Sequence, residues 1–393
     1  MFNYKNLDEA LSELLQQKKK SKKELPIGVD GLSQDKFLES RHFHLKEILR
    51  GLEKTFLSGS QYRFGTLYQL SRTKKAGGVR YLYVPRIRDQ IVFKAMLNVL
   101  RQHLKVASVS PRRIVIDFHS HARQYDEPWI LRTDISDYYN SIDRNQLIFE
   151  LKKVRGIKPE LLTLMEHWFS NIAYRCSVSG KRHFLMTGLP QGVSLSSILA
   201  EFYLTSIDDQ IGTGYFRYVD DIIFVAENRG EALSAFEKLR GLLLEKKLQL
   251  ARSKTKIAPL SSGIDWVGLI HFPDKIVVAE HKYAEWRKGM IRAFREVRND
   301  HPRSGYDESN SHTIKEIIFT KARDYIFGEN NRRIYWFQLI KDTGQWNELD
   351  RFIHGQIKFT LKYYGLRIEE EDKLPSIKLH LSRVKRMKPP IAD

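Results

Sequence analysis

The segment FRYVDDIIFVA, Phe216 to Ala226, sets two adjacent carboxylates between two apolar runs. The flanking residues are β-branched and aromatic, which favours strands, and the polar pair favours a tight turn between them. The expected local structure is a β-hairpin with Asp220 and Asp221 at or beside its tip. Two carboxylates a few ångströms apart repel, and one pKa rises unless a cation lies between them. Hard oxygen ligands suit magnesium, which takes one or two carboxylates from a protein and completes its shell with phosphates and water. The chemistry this pair could do is metal-assisted handling of a triphosphate. An adjacent Asp pair at a turn also fits a plain solvated turn, so the reading depends on what surrounds it. A rival pair, Asp208 and Asp209 in SIDDQI, lies in a stretch that reads as helical and is assigned to an exposed helix face.

Further candidates lie on both sides. In WILRTDISDYYNSI a strand ends at Ile130 and Leu131, Asp134 follows at once, and Tyr138 and Tyr139 come next. A carboxylate at a strand end can reach a metal that a neighbouring hairpin also holds, although an aspartate there equally suits a helix N-cap. In MTGLPQGVSLSSILA, residues Gly188, Pro190 and Gly192 make a loop of unusual backbone freedom, and a helix from about Ser194 to Gln210 follows it. Its small first residues would let another chain or a base pair approach closely. Lys254 and Lys256 in SKTK stand near a turn, and WVGLIHF, Trp266 to Phe272, reads as one apolar strand with Gly268 inside it.

The elements that must position these groups are legible in outline. Two strand-like runs flank KKAGG between Tyr68 and Val84, predicting a hairpin from which Lys74, Lys75 and Arg80 project. Such a tip could clamp triphosphate oxygens or could simply be solvated. Helices are expected over about Asn6–Gln17, Leu45–Phe56, Arg88–Leu104, Gly230–Glu245, Thr313–Phe327 and Trp346–Tyr364. HKYAEWRKGMIRAFREVRND, from His281, reads as a basic amphipathic helix, and His301 to His312 as a loop. The basic run Lys18 to Glu24 is either a solvated linker or a phosphate contact.

Composition bounds the partner. Of 393 residues, 66 are Lys or Arg against 47 Asp or Glu, a formal net charge of +19. That excess points first to nucleic acid and second to an anionic membrane surface. Hydrophobic residues reach 42%, enough for a sizeable core. No stretch approaches the roughly 20 apolar residues of a membrane span, and the N-terminus lacks a signal peptide's apolar centre. The single cysteine, Cys176, excludes an internal disulfide and a cysteine zinc cluster, and a cytoplasmic setting is expected.

Taken in order, the blocks resemble the palm of reverse transcriptases: an aspartate after a strand with a tyrosine five residues on, then LPQG, YVDD, SKTK and WVG. The resemblance runs from about Pro26 to Phe272. GVDG and GGVRYLYVPRIRDQIV look like the fingers of group II intron-type and related bacterial members. It implies an α+β right-hand polymerase: an N-terminal helix and basic linker over 1–25, fingers over 26–128, a palm over 129–272 whose antiparallel sheet bears the YVDD hairpin, and a helical thumb-like region with a basic tail over 273–393. It further implies Asp134, Asp220 and Asp221 as a metal triad for two Mg²⁺ ions, or Mn²⁺, with the Ile135 carbonyl as an additional ligand. Tyr139 would be the steric gate against a ribose 2′-hydroxyl. Gln191, Lys74 and Arg80 would hold the nucleotide, and Lys254 would protonate pyrophosphate. Gly188, Pro190, Tyr218 and Gly268 would line the primer and template.

The implied activity is RNA-directed DNA synthesis. The compact chain resembles the defence-associated, abortive-infection-like bacterial enzymes, which implies a dedicated non-coding RNA template, a DNA primer and product, dNTPs, and a partner protein or second copy. Alternatives are a retron or intron enzyme of a mobile element, an untemplated or protein-primed polymerase, and an RNA-binding scaffold with a relic site. Among the C-terminal aromatics, Tyr283, Trp286, Tyr335, Trp336, Tyr363 and Tyr364 are expected either to stack on RNA bases or to fill a core. The tail from Lys378 to Asp393 is expected to bind RNA.

Overall fold

The computed structural model describes residues 3–20, 28–57, 62–73, 78–106, 110–305, 309, 311–327, 339, 343–369 and 372–376. Lys74, Lys75, Tyr335, Trp336, the end of the basic linker and the tail from Lys378 lie outside these residues. In chain order the helices are α1 (Tyr4–Lys20), α2 (Gln34–Glu39), α3 (Arg41–Leu57), α4 (Ile87–His103), α5 (Pro111–Ala122), α6 (Tyr138–Ser141), α7 (Arg144–Lys152), α8 (Pro159–Ser170), α9 (Ser194–Ile211), α10 (Arg229–Glu245), α11 (Glu280–Asp300), α12 (Ser311–Phe327) and α13 (Thr343–Tyr363). The strands are β1 (Leu67–Thr73), β2 (Val79–Val84), β3 (Trp129–Asp134), β4 (Ala173–Cys176), β5 (Arg182–Phe184), β6 (Tyr215–Tyr218), β7 (Asp221–Ala226), β8 (Lys256–Pro259), β9 (Ile264–Trp266), β10 (Leu269–His271) and β11 (Ile276–Val278). No helix among the described residues is long and apolar enough to cross a membrane.

The chain divides into two compact units. The first comprises residues 1–108, 133–222 and 233–255. Its core is built on α4 and α9, which are apolar on most sides and therefore buried rather than amphipathic. Ile87, Ile91, Val92, Phe93, Met96 and Leu100 of α4 are buried, as are Leu195, Leu199, Tyr203, Leu204 and Ile207 of α9. Two charges within α4 are buried with partners. Lys94 meets Glu13 of α1 at 2.7 Å, and Asp89 accepts from the Gly65 amide at 2.9 Å and the Tyr62 hydroxyl at 3.2 Å. Beside these helices lies a four-stranded sheet of order β2-β1-β4-β5. β1 and β2 form the expected hairpin, with Arg72 opposite Arg80, while β1 and β4 run parallel.

The second unit comprises residues 109–132, 223–232 and 256–393. Here α11 turns Tyr283, Trp286, Met290, Ala293, Phe294 and Val297 inward at helical spacing. Tyr283, Trp286 and Tyr364 are at most 3% exposed, so these three aromatics fill a core and present no stacking face. The apolar stripe of an amphipathic helix explains them, each large side chain contributing roughly 1.5–3 kcal/mol on burial. WVGLIHF is also not one strand. Val267 and Gly268 have φ of 47° and 81°, the pair of left-handed residues that a tight primed turn requires, and they fold the segment into the β9–β10 hairpin. A Cβ on Gly268 would lie 2.9 Å from Lys282 Cε. A buried histidine pair ties α5 to this hairpin: His119 Nε2 and His271 Nδ1 are 2.9 Å apart, and His271 Nε2 donates to the Trp266 carbonyl at 3.1 Å.

In the first unit β6 and the start of β7 are neighbouring strands. β3 and β8 are antiparallel, with Arg132 opposite Lys256.

Candidate active site

β6 ends at Tyr218 and β7 begins at Asp221, so Val219 and Asp220 form the two-residue connection between neighbouring strands. The Asp pair therefore sits at a turn between strands, as its apolar flanks require. Val219 has φ 61°, a left-handed conformation that a β-branched residue avoids. Asp134 is the last residue of β3. Beyond it the chain stays paired: the Ala251 amide donates to the Asp134 carbonyl at 2.7 Å, and the Ser136 amide to the Gln249 carbonyl at 2.8 Å. The Ile135 amide, between these, donates instead to the Asp220 carbonyl at 3.1 Å. That bond joins the two carboxylate-bearing segments at the backbone.

The side chains form one electrostatic group. Lys254, in a 3₁₀ turn ahead of β8, brings Nζ to 2.8 Å from Asp134 Oδ1. The Asp220 carboxyl is held above its ordinary range by burial and then by the negative charge of Asp134, while Lys254 and Arg80 oppose the shift. Arg80 of β2 and Asp220 also act on the Tyr139 phenol, which burial pushes up. Asp134, Asp220, Lys254, Arg80 and Tyr139, from four separate chain segments, thus fall within one another's electrostatic reach.

The loop containing Gly188 packs against the same region. The Leu189 amide donates to the Tyr139 carbonyl at 2.7 Å. Gly188 has φ +71°, and a Cβ there would lie 2.4 Å from the Tyr139 carbonyl oxygen, so only glycine fits. Arg144 fastens the loop by donating to four carbonyls: Gly188 at 2.6 Å, Phe169 at 2.8 Å, Leu185 at 2.9 Å and Thr187 at 3.1 Å. The Gln191 carbonyl accepts from the Tyr83 amide of β2 at 2.7 Å, and Pro190 is buried. Tyr218 is exposed at the end of β6. Gly268 belongs to the second unit and Lys74 lies outside the described residues. Sequence reasoning missed Arg144, whose only trace is an arginine one residue after an N-capping aspartate.

Asp208 corrects the expectation of an exposed helix face. Both of its carboxylate oxygens accept from Arg217 of β6, at 2.8 and 2.5 Å. The signal lay in spacing: Asp208 falls two turns after Glu201 on α9, and both face the same guanidinium.

The donor set fits a divalent cation of the magnesium or manganese class. Its oxygens are hard, and the repulsion from Asp134, which adds to burial in raising Asp220, is what such a cation relieves. Among the described residues no three His, Cys, Asp or Glu side chains are set to hold an ion by themselves. An ion here would share its shell with phosphate oxygens, the usual habit of magnesium.

The family model described as "Reverse transcriptase (RNA-dependent DNA polymerase)" matches residues 72–271, more than half of the chain. The chain belongs to the reverse transcriptase family. The matched span contains Asp134, Gly188, Gln191, Asp220, Asp221, Lys254 and Gly268. Protein YkfC of Escherichia coli K12 is 23% identical over 314 residues, which cover 66% of this chain and 78% of that protein. Among solved structures, telomerase of Candida albicans with a fragment of telomeric RNA is similar over 91% of this chain and 69% of its own, at 13% identity and a TM-score of 0.45. A truncated apo telomerase of Candida tropicalis is similar over 59% of this reverse transcriptase-family chain, at 16% identity and a TM-score of 0.41. The chain spans 60% of the length of that truncated telomerase.

Proposed function

We infer that the protein is an RNA-directed DNA polymerase that extends a primer by nucleotidyl transfer at the Asp134–Asp220–Asp221 site. The observation that carries this reading is the gathering of Asp134, Asp220, Lys254, Arg80 and Tyr139 from four chain segments within one charged group. Residues 26–128 act as fingers, 129–272 as a palm bearing the YVDD hairpin, and 273–393 as a thumb-like region.

Asp134, Asp220, Asp221 and the Ile135 carbonyl would hold divalent cations. When bound, these supply Lewis-acid activation of the primer 3′-hydroxyl and neutralise charge on the leaving pyrophosphate. Arg80, with Lys74, binds triphosphate oxygens by charge-assisted hydrogen bonds. Tyr139 occupies the space of a ribose 2′-hydroxyl and selects deoxynucleotides. Lys254 Nζ donates a proton to the pyrophosphate oxygen as it leaves. The loop of Gly188, Pro190 and Gln191 bounds the nucleotide and, with Tyr218, the primer–template pair; Gly268 belongs to a separate block that grips the primer strand. The chemistry is then positioning plus electrostatics.

The template in this reading is a dedicated non-coding RNA, and the setting is antiphage defence in the bacterial cytoplasm. The net charge of +19 supports a nucleic-acid partner, and the resemblance of the sequence to compact defence-associated enzymes supports the setting. Sequencing the nucleic acid that copurifies with the protein tests it. One recurrent structured RNA with complementary DNA is expected; a random sample of cellular RNA with no DNA would contradict it.

A further inference from the structure

Arg217 is 8% exposed and stands two residues before the Val219–Asp220 turn. Its donors reach four acceptor atoms. Nε and Nη2 meet the two oxygens of Asp208 at 2.8 and 2.5 Å, a bidentate fork. Nη1 donates to Glu201 Oε2 at 2.7 Å and to the Val219 carbonyl at 2.8 Å. Glu201 and Asp208 both belong to α9, a core helix of the first unit. Arg217 thus fastens the left-handed residue of the turn to a core helix.

Three features give this link a purpose. Val219 at φ 61° is in a conformation that strains a β-branched side chain and persists only where its surroundings over-determine it. The next residue, Asp220, is held on its other side by the Ile135 amide. The turn is therefore pinned at two successive carbonyls, one from α9 through Arg217 and one from the end of β3. Finally, two carboxylates more than cancel the guanidinium, so Arg217 brings no surplus positive charge to the site. Its contribution is directional: three acceptors in different directions require the planar, many-donor fork of arginine, which a lysine ammonium cannot reproduce.

We propose that Arg217 is a positioning residue, which holds the Val219 turn so that Asp220 and Asp221 are preset against Asp134 to share a divalent cation. This rests on the nucleotidyl-transfer reading above. Supporting residues one step removed from metal ligands typically change affinity or activity 10–100-fold.

The test compares wild type with Arg217→Lys and Asp208→Asn. Mn²⁺ binding to the full chain is titrated by electron paramagnetic resonance without substrates, and primer extension is followed with dNTPs. Arg217→Lys keeps the charge and loses the fork. It is expected to weaken Mn²⁺ binding roughly 10-fold and to lower kcat about 10–100-fold, with KM for dNTP within about twofold. Asp208→Asn breaks one arm and is expected to fall between. It decides the matter if Arg217→Lys does not fold. Wild-type Mn²⁺ affinity and kcat in a folded variant would overturn the proposal, as would a loss of activity that only tracks a loss of folded protein. A folded wild type that binds Mn²⁺ but extends no primer would contradict the polymerase reading instead, and the Mn²⁺ comparison would still decide the role of Arg217.

Discussion

The Ile135 amide donates to the Asp220 carbonyl at 3.1 Å, and this single backbone bond brings the end of one strand against the turn between two others. Asp134 precedes the donor and Asp221 follows the acceptor, so three carboxylates are distributed across one hydrogen bond. Burial, and then the negative charge of Asp134, raises the Asp220 carboxyl. The sign of that shift runs opposite to that of an ion-paired carboxylate. The fold favours the protonated form, so the ionised group costs stability at neutral pH, and that cost disappears as pH falls through the raised pKa.

Asp220→Asn is therefore expected to raise the metal-free Tm by ~1–3 °C while abolishing activity. Added Mg²⁺ should raise the Tm of wild type more than that of the variant. Differential scanning calorimetry with and without Mg²⁺ checks both; a variant less stable than metal-free wild type would contradict the electrostatic account.

Tyr139→Ala should open the space expected for the 2′-hydroxyl. The preference for dNTP over rNTP, measured as a ratio of kcat/KM, is expected to fall roughly 10-fold or more. An unchanged ratio would place the selection elsewhere.

Gly188→Ala forces a Cβ to within 2.4 Å of the backbone of Tyr139 and Asn140 at a φ of +71°. A loss of about 2–4 kcal/mol in urea unfolding is expected. Gly78→Ala is the control, because its φ is +83° but nothing lies within 4 Å of the added atom. Equal losses at the two sites would show that the close approach of the loop carries no energy.

His271 is buried, and burial lowers its pKa from 6.5 to about 4. The folded state holds it neutral, so its contribution to stability is complete above pH 6.5 and is lost as pH falls towards 4. Between neutrality and about pH 5 that amounts to about 2 kcal/mol. Urea midpoints of wild type should fall over this range more steeply than those of His271→Gln; parallel slopes would remove His271 as the cause.

How much of this could be read beforehand depended on whether the signal was local. The amphipathic spacing of Tyr283, Trp286, Met290 and Val297 marked α11 correctly, and the pairing of β1 with β2 and the turn between β6 and β7 followed from runs of strand formers. Asp134 was placed at a strand end as expected. What failed was what needs a tertiary partner. Asp208 looks like any exposed helical carboxylate until Arg217 is folded onto it. Val267 looks like a strand residue, because nothing local announces a left-handed valine before Gly268. His119 and His271 are 152 positions apart, and no spacing rule joins them.

The central claim is that Asp134, Asp220 and Asp221 catalyse RNA-templated DNA synthesis. Incorporation of a single dNTP opposite an RNA template, under Mg²⁺ and in one turnover, tests it most directly. Wild type is expected to extend the primer, and Asp134→Asn and Asp221→Asn to lose the reaction by several orders of magnitude while circular dichroism shows them folded. A folded variant that incorporates dNTP at the wild-type rate would contradict the account.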